Sequence, residues 1–306
     1  MKISTKSRLL VLLPIILIAT YILWDEQPAS AAKAEKPSAE CLHEPRKIAG
    51  PMDNDWLMLA KQIMDKDHHF AMMRFADGEQ AVIDRRPLVS QQDSWVYKGG
   101  EQSMLSTDLA STLKGHYGQP VYYGLSGDEN VPSLNYFLSH IEQNLDYITY
   151  SNVFVNSNYK RTRNMWKKIQ AGEAGPVVIF ASKESRTNAQ SFVTLQEYLE
   201  CPDNGLDWYE THHKEIKKEW ERLAKKYTDT LFIMSCGPLT NIGVHTMWSL
   251  NNRNKYIDFG SSVDEVLKGR KTRPYMDDGN FYSTQFDSAF KLDADGKAVM
   301  LPGYFY

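Results

Sequence analysis

The stretch FAMMRFADGE, Phe70–Glu79, decides the fold. Its apolar first part predicts a buried β-strand over Phe70–Ala76. Asp77 and Glu79 follow that strand on either side of Gly78. Carboxylates at the end of a strand can hold a divalent cation against a diphosphate, and Gly78 is expected to let the backbone turn sharply beside the ligand. The stretch therefore predicts a metal and phosphate site, although an isolated D-G-E is also typical of a solvated turn.

A second element lies far down the chain in TLFIMSCGPLTNIG, Thr230–Gly243. An apolar strand leads into a turn and then into a helical pattern whose first position is a proline, as is common at helix starts. The free N–H groups and the positive end of the dipole at such a helix start form an anion site. The residues of this turn that we expect to contact phosphate or ribose are Ser235, Gly237, Pro238, Thr240 and Asn241.

A third strand, KYIDFG over Lys255–Gly260, delivers Asp258 close to its end. We expect Asp258 to bind a hydroxyl group of a sugar or ribose, or to serve as a base. Open α/β sheets bind ligands in a crevice at the carboxyl ends of their strands. The three strand ends therefore predict one shared crevice.

Strands and helices alternate along the chain. This predicts an α/β fold, namely a Rossmann-like, mainly parallel sheet with helices on both faces, in a single globular domain behind an N-terminal hydrophobic segment. One such domain can accommodate the roughly 250 residues that follow residue 52. The other predicted strands are Pro120–Leu125, Val153–Asn156 and Val177–Ser182, and the predicted helices include Trp56–Asp67, Gln102–His116, Ser133–Leu145, Tyr159–Ile169 and Asp207–Tyr227.

Several stretches in this order resemble a known family. RFADGE, VNSNYKRTRNMW, FIMSCGPLTNIGVHTMW and YIDFGSSVDEVL are together similar to the GT-D-type glycosyltransferases, a bacterial group first catalogued as a domain of unknown function. The likeness spans about Phe70 to Lys268. The resemblance implies a Rossmann-like fold and transfer of a hexose, typically glucose, from a nucleotide sugar such as UDP-glucose. It also implies that Asp77 and Glu79 hold Mn²⁺ or Mg²⁺ at the diphosphate, with Arg74 beside them.

Two positions depart from the usual pattern of that group. Ala76 stands where glycine is common, and Cys236 precedes the Gly-Pro turn. These departures leave the identity of the donor and of the acceptor open. The acceptor is expected to be a glycan or a glycoprotein.

A basic helix start is a weaker candidate for phosphate binding. Arg161 and Arg163, together with Lys160, lie at the start of the helix predicted over Tyr159–Ile169, which follows the predicted strand Val153–Asn156. Guanidinium groups pair well with phosphate oxygens, so both arginines are expected to contact the donor. Charges on the solvated face of a helix are the alternative explanation.

Two alternative functions follow from the same residues. GPLTNIG also resembles a segment of the nucleoside hydrolases, which hold calcium with an Asp cluster, D-x-D-x-x-x-D-D, directly after a strand. In this chain Asp53-Asn54-Asp55 precedes a helix, so that match fails where the chemistry would occur. The other alternative is an inactive, membrane-tethered binding domain in which Asp77 and Glu79 only cap a turn.

Composition narrows the class of protein. The chain has 306 residues, 42% of them hydrophobic and 24% charged, as is usual for a globular protein. Its net charge of -3 gives no reason to expect a nucleic-acid partner. Motifs G-x-G-x-x-G, G-x-x-x-x-G-K-[ST] and G-x-S-x-G are absent, which disfavours dinucleotide redox enzymes, P-loop NTPases and α/β-hydrolases.

The N-terminus predicts a targeting segment. Basic residues at positions 2, 6 and 8 precede the mostly apolar run Leu9–Trp24, which predicts a signal anchor with its N-terminus in the cytoplasm. Cleavage after Ala29-Ser30-Ala31 is the alternative, and the domain would then be secreted. Nucleotide sugars are imported into the Golgi lumen of eukaryotes, so a type II membrane protein with a luminal, Golgi-located catalytic domain fits a eukaryotic source best.

The sequence predicts four regions. Residues 1–24 are the cytoplasmic tip and hydrophobic segment, 25–55 a stalk, 56–290 the catalytic domain and 291–306 a tail. Three cysteines are too few for a disulfide scaffold. Cys236 is expected to be a small buried apolar residue, and Cys41 and Cys201 could pair in an oxidising lumen.

Overall fold

The computed structural model describes residues 52–90, 95–126, 131–280, 290–292 and 298–300. The chain divides into two units, residues 1–43 and 44–306, and all of the described residues belong to the second. The predicted segment Leu9–Trp24, the cleavage site and Cys41 lie outside the described residues. Within the described ranges, no helix combines the length and the apolar character that a membrane span requires.

The helices and strands of the described residues alternate through most of the chain. The helices are α1 Met52–Met64, α2 Asp77–Ile83, α3 Met104–Ser111, α4 Val131–His140, α5 Tyr159–Gln170, α6 Arg186–Phe192, α7 Gly205–Lys226, α8 Pro238–Leu250 and α9 Asp264–Lys268. The strands are β1 Phe70–Phe75, β2 Leu88–Ser90, β3 Trp95–Tyr97, β4 Val121–Leu125, β5 Ile148–Tyr150, β6 Val177–Ser182, β7 Leu195–Cys201, β8 Leu231–Ser235, β9 Lys255–Asp258, β10 Phe290–Leu292 and β11 Ala298–Met300.

Seven strands form one parallel sheet in the order β5-β4-β1-β9-β8-β6-β7. The chain winds outward from β1 to β4 and β5, crosses to the other half of the sheet, and returns through β8 and β9 to the side of β1. The winding therefore reverses between β1 and β9, and such a switch point is where open α/β sheets bind ligands. The predicted α/β fold is confirmed.

The central strands are buried on both faces. In β1 every residue except Arg74 is buried, as expected for a parallel strand covered by helices on both sides. Gly243 lets α8 lie close to the sheet, because a Cβ there would come 2.9 Å from Met234 Cε and 3.0 Å from Trp220 Cε2. This close packing holds the middle of α8 against β8 and α7.

The fifth strand of the chain order differs from the prediction. The strand is Ile148–Tyr150, whereas the predicted stretch Val153–Asn156 forms turns and the start of a short 3₁₀ helix. Val153 and Phe154 are fully buried, so their apolar character reflects core packing and not strand pairing. Asn156 has φ 51°, a left-handed conformation that ends any extended run.

Some elements are not predicted by the sequence pattern, and others start elsewhere. Helix α1 begins at Met52, inside the region predicted as a stalk. The predicted turn after β1 is the helix α2, and the β2–β3 hairpin, α6 and β7 follow no strong local signal. The helix predicted over Gln102–His116 is the shorter α3, and the Ser103 side chain caps its start by accepting a bond from Ser106 N at 3.0 Å.

Candidate active site

One cleft lies along the carboxyl ends of the central strands and has a volume of about 630 Å³. Glu79, Gly237 and Asp258 line this cleft, each contributed by a different strand end. The D-G-E stretch and the Gly-Pro turn, more than 150 residues apart, therefore share one site. The predicted crevice is present.

Arg74 and Asp258 form the centre of the cleft. Arg74 Nε lies 3.1 Å from Asp258 Oδ2, and the two side chains are 19% and 5% exposed. Arg74 also donates to Ser151 O at 3.0 Å, and Gly260 N donates to Asp258 Oδ1 at 2.9 Å. Burial raises the pKa of Asp258, and Arg74 opposes that rise. The pair links β1 to β9 at the switch point and leaves one cation and one carboxylate facing the cleft.

Glu79 is the second carboxylate of the cleft. Its Oε2 accepts a bond from Ala76 N at 2.9 Å, which closes the first turn of α2. Burial raises the pKa of Glu79 to about 7, and the nearby charge of Asp258 adds to the rise. Glu79 thus interacts electrostatically with Asp258 across the cleft.

The start of α8 forms the other wall. Gly237 has φ 53° and ψ -143°, and Pro238 occupies the first turn, as predicted. Thr240 is buried, and its Oγ1 accepts a bond from Cys236 N at 2.8 Å. Ser235 lines the cleft and donates to Gly260 O at 2.9 Å. Ser235 and Gly237 therefore line the cleft just before α8, while Thr240 stabilises the turn itself.

Asn241 lies behind the cleft. It is fully buried; its Nδ2 donates to Arg74 O at 2.7 Å, and its Oδ1 accepts from Arg74 N at 3.2 Å. The side chain thus pairs with the backbone of β1 beyond Met72, where the register with β9 ends. Because both ends of the amide are used, Asn241 positions Arg74 and does not line the cleft.

The structure does not bring Arg161 or Arg163 to the cleft. Arg163 Nε lies 3.0 Å from Glu265 Oε2, and its Nη2 donates to Met276 O at 2.8 Å. Arg161 is exposed, with its guanidinium 6.0 Å from the centre of the Trp56 ring. Arg163 fastens the segment after α9 to α5, which is a structural role.

Asp77 and Gly78 also lie outside the lining of the cleft. Asp77 is exposed, and its Oδ1 accepts a bond from Gly78 N at 2.9 Å. Gly78 has no left-handed φ, and a Cβ there would meet only Leu88 Cδ2 at an ordinary 3.8 Å. The expected sharp glycine turn is therefore wrong, because the backbone at Gly78 is ordinary α-helix.

The carboxylates fit a cation only in part. Across the described ranges of the chain, no group of three or more His, Cys, Asp or Glu side chains could hold a metal ion. Magnesium is often bound by one or two carboxylates together with substrate phosphates and water. Of the two predicted metal ligands, Glu79 lines the cleft and Asp77 does not, so only Glu79 is placed to meet a cation bound together with a diphosphate.

Several residues of the cleft carry no sequence motif. These are Trp95 on β3, Lys183 and Glu184 after β6, Asn204 after β7, and Arg270 after α9. Arg270 donates to Glu184 Oε1 at 2.8 Å, which ties the segment after α9 to the end of β6. The one available signal was position, because polar residues that follow parallel strands gather at one edge of the sheet.

A disulfide crosses the floor of the cleft. Cys201 at the end of β7 is bonded to Cys236 before α8, across the intervening strand β6. The expected pairing of Cys41 with Cys201 is therefore wrong, and Cys236 is not a free apolar residue. Sequence spacing could not reveal this bond, because β7 itself was not predicted.

Removing this disulfide is expected to destabilise the domain. Replacing both Cys201 and Cys236 by serine should lower the free energy of unfolding by about 2 to 4 kcal/mol, since the bond joins residues 35 positions apart. Urea unfolding with and without a reductant measures this loss. The double variant is the control, since reductant should not move its midpoint. An unchanged wild-type midpoint after verified reduction would contradict the prediction.

Solved structures similar to this chain come from one group. A selenomethionine-substituted structure of domain of unknown function 1792 is 18% identical, covers 69% of this chain and 78% of that chain, and has a TM-score of 0.48. A second structure of this highly conserved domain, said to have a distinct glycosyltransferase fold, is 18% identical. It covers 70% of this chain and 80% of that chain, with a TM-score of 0.46. A glycosyltransferase of the same domain from Streptococcus sanguinis is 17% identical. It covers 73% of this chain and 85% of that chain, with a TM-score of 0.44.

These structures belong to the group that the sequence motifs resemble. No protein-family model and no curated protein matches the chain. With TM-scores below 0.5, the role of each residue has to come from the site of this chain itself.

Proposed function

We propose that the protein is a glycosyltransferase that moves a hexose, such as glucose, from a nucleotide-diphosphate sugar to a glycan or glycoprotein acceptor. The observation that carries the proposal is the meeting of Arg74, Glu79 and Asp258 with the start of α8 in one cleft. A diphosphate needs an anion site, and a hexose needs hydrogen-bond acceptors for its hydroxyl groups. The cleft supplies both beside each other.

The charges of the cleft suit this ligand. The positive end of the α8 dipole and the guanidinium of Arg74 favour a diphosphate. Asp258 faces the same space and is suited to accept a bond from a sugar hydroxyl, or the proton of the acceptor. In the transfer, the acceptor oxygen forms a bond to the anomeric carbon, the bond from that carbon to the phosphate oxygen breaks, and the diphosphate leaves with the electron pair.

A divalent cation, Mn²⁺ or Mg²⁺, is part of the proposal. Asp77 and Glu79, at the first turn of α2, would hold it together with oxygens of the diphosphate. When bound, it would offset the charge that develops on the leaving diphosphate.

The arrangement disfavours the nucleoside hydrolase. Asp55, from the stretch Asp53-Asn54-Asp55, lies in α1, and its Oδ2 accepts a bond from Thr149 Oγ1 at 2.7 Å. A hydrolase would need its Asp cluster after the strand, where this chain has Ala76 and Asp77. Transfer of a sugar therefore remains the proposed reaction, in preference to hydrolysis of a nucleoside.

The proposed location is extracytoplasmic. Disulfides persist in oxidising compartments and are rare in the cytosol, so the Cys201–Cys236 bond supports a domain on the far side of a membrane. The basic residues before Leu9–Trp24 support the same orientation. Protease protection of the domain in sealed vesicles tests this, and a domain cut from the cytosolic side would refute it.

Release of nucleoside diphosphate from a panel of nucleotide sugars, with and without Mn²⁺, tests the function. We expect release from at least one donor and a loss of about 100-fold in Glu79→Gln. Glu173→Gln is the matched control, since Glu173 is exposed and does not line the cleft. Asp77→Asn tests the metal role of Asp77 separately, since Asp77 is exposed beside the cleft: loss of the Mn²⁺-dependent part of the release would support Asp77 as a ligand, and unchanged release would remove it from that role.

Two outcomes would overturn the proposal. Free base released from a nucleoside would indicate a hydrolase. Binding of nucleotide sugars without any turnover would indicate a binding domain.

A further inference from the structure

Trp95 covers the start of α8. A Cβ added at Gly237 would overlap the Cη2, Cζ2 and Cζ3 atoms of the Trp95 indole, so the ring lies directly against this glycine. Trp95 is half-buried and lines the cleft. Part of an aromatic ring therefore remains accessible next to the proposed anion site.

The structure holds the strand that carries this indole in place. Val96 N donates to Asn204 Oδ1 at 2.9 Å, which fastens β3 to the loop after β7. The Tyr97 hydroxyl donates to Ser103 Oγ at 2.8 Å, and Tyr97 is buried. Trp95 is paired with Ser90 across the β2–β3 hairpin. A ring that is already fixed loses little conformational entropy when a ligand stacks on it.

The polar and aromatic parts of the cleft lie at different strands. Arg74 and Asp258 belong to the β1–β9 pair, Gly237 follows β8, and Asn204 follows β7 at the edge of the sheet. Moving along the sheet edge, the carboxylate of Asp258 comes first, the start of α8 next, and the anchor of the Trp95 hairpin last. A ligand whose hydroxyl groups face the carboxylates and whose phosphates face α8 thus presents its other end to Trp95.

The surroundings of Trp95 suit a flat and weakly polar group. The Cys201–Cys236 disulfide and Pro202 line the cleft next to Gly237. Polar side chains after β6 and β7, among them Lys183 and Asn204, also line this end of the cleft, so it suits a group with an apolar face and polar edges. Stacking on an aromatic ring is available to every nucleobase, because each has a π-face.

We propose that Trp95 is the stacking platform for the nucleobase of the donor. The proposal rests on the proposed transferase function and adds a binding residue to it. Because the contact is stacking, it contributes affinity for the nucleoside part and leaves the affinity for the phosphates unchanged.

Calorimetric titration of the folded protein with UDP, GDP, ADP and inorganic pyrophosphate tests the proposal. In Trp95→Ala we expect the tightest nucleoside diphosphate to bind about 10- to 100-fold more weakly. Pyrophosphate binding should change by less than about twofold, since no base is present to stack. Trp95→Phe keeps an aromatic face and should retain most of the affinity.

Trp208→Ala is the matched control. Trp208 is half-buried on α7, stacks on His212 with ring centres 4.6 Å apart, and does not line the cleft. It should leave nucleoside diphosphate binding unchanged. Circular dichroism and thermal unfolding of each variant show that the fold is kept.

The outcomes separate this proposal from the proposed function. Equal losses for pyrophosphate and nucleoside diphosphate would overturn the platform, since Trp95 would then only shape the start of α8. Unchanged binding in Trp95→Ala, with a wild-type protein that still releases nucleoside diphosphate from a sugar donor, would overturn the platform alone. A wild-type protein that binds none of the nucleoside diphosphates would overturn both.

Discussion

Asp258→Asn is expected to lower the rate of sugar transfer by about 100-fold or more and to destabilise the domain. The substitution leaves the guanidinium of Arg74 in a partly buried site without its carboxylate partner. Removing one member of a buried ion pair leaves an uncompensated charge, and about 3 kcal/mol of the free energy of unfolding should be lost. The loss of rate and the loss of stability share one cause, because Asp258 holds the Arg74 guanidinium at the place where we propose that the diphosphate binds.

Urea unfolding and turnover of the best donor measure these two losses. Asp207→Asn is the matched control, since Asp207 pairs with Lys98 at 3.1 Å in an exposed position, where the side chains are 41% and 74% exposed. An exposed pair of this kind contributes between zero and about 1 kcal/mol. If Asp258→Asn were as stable and as active as this control, the pair would not be the centre of the site.

Gly237→Ala is expected to damage both the stability of the domain and its nucleotide binding. Gly237 has φ 53° and ψ -143°, a conformation open mainly to glycine, and any Cβ would overlap the indole of Trp95. Backbone strain and the collision together should lower the free energy of unfolding by about 3 to 4 kcal/mol. Nucleotide binding should be lost as well, because the indole and the start of α8 must move apart.

Gly172→Ala is the matched control, because it introduces backbone strain without a collision between side chains. Gly172 has φ 82°, but a Cβ there would meet nothing within 4 Å, so only the backbone cost of roughly 1 to 2 kcal/mol should remain. Adding Trp95→Ala to Gly237→Ala should recover the part of the stability that the collision removes. A Gly237→Ala protein no less stable than Gly172→Ala, by chemical unfolding, would show that the indole does not lie on this glycine.

The parts of the fold that sequence predicts well are those with strong local signals. The continuous apolar runs of β1, β6 and β8 predict buried parallel strands, and Gly237-Pro238 predicts the start of α8. Strand β7 mixes polar and apolar residues without a regular alternation and is partly buried at the edge of the sheet, so its sequence pattern is weak. The Val153–Phe154 run is misleading, because packing alone explains why it is apolar.

Some residues of the candidate site could likewise be predicted from the sequence, and others could not. Arg74, Glu79, Asp258 and Gly237 could be placed together, because residues at the ends of parallel strands share one edge. Arg163 and Asn241 could not be excluded from the sequence, since a guanidinium that binds phosphate and one that binds Glu265 are the same residue type in the same kind of position. Trp95 is missed for the converse reason, since only the fold brings its hairpin to α8.

The bracket that Asn241 makes around the backbone of Arg74 has a consequence for substrate choice. It joins the backbone of β1 to the first turns of α8, while Ser151 O and Asp258 hold the Arg74 side chain, so the separation between the start of α8 and the guanidinium is fixed by these contacts. We expect this fixed separation to select donors by the length of their phosphate linker. A donor whose linker between sugar and nucleoside is longer or shorter than two phosphates would fail to contact either Arg74 or the start of α8, whatever the sugar.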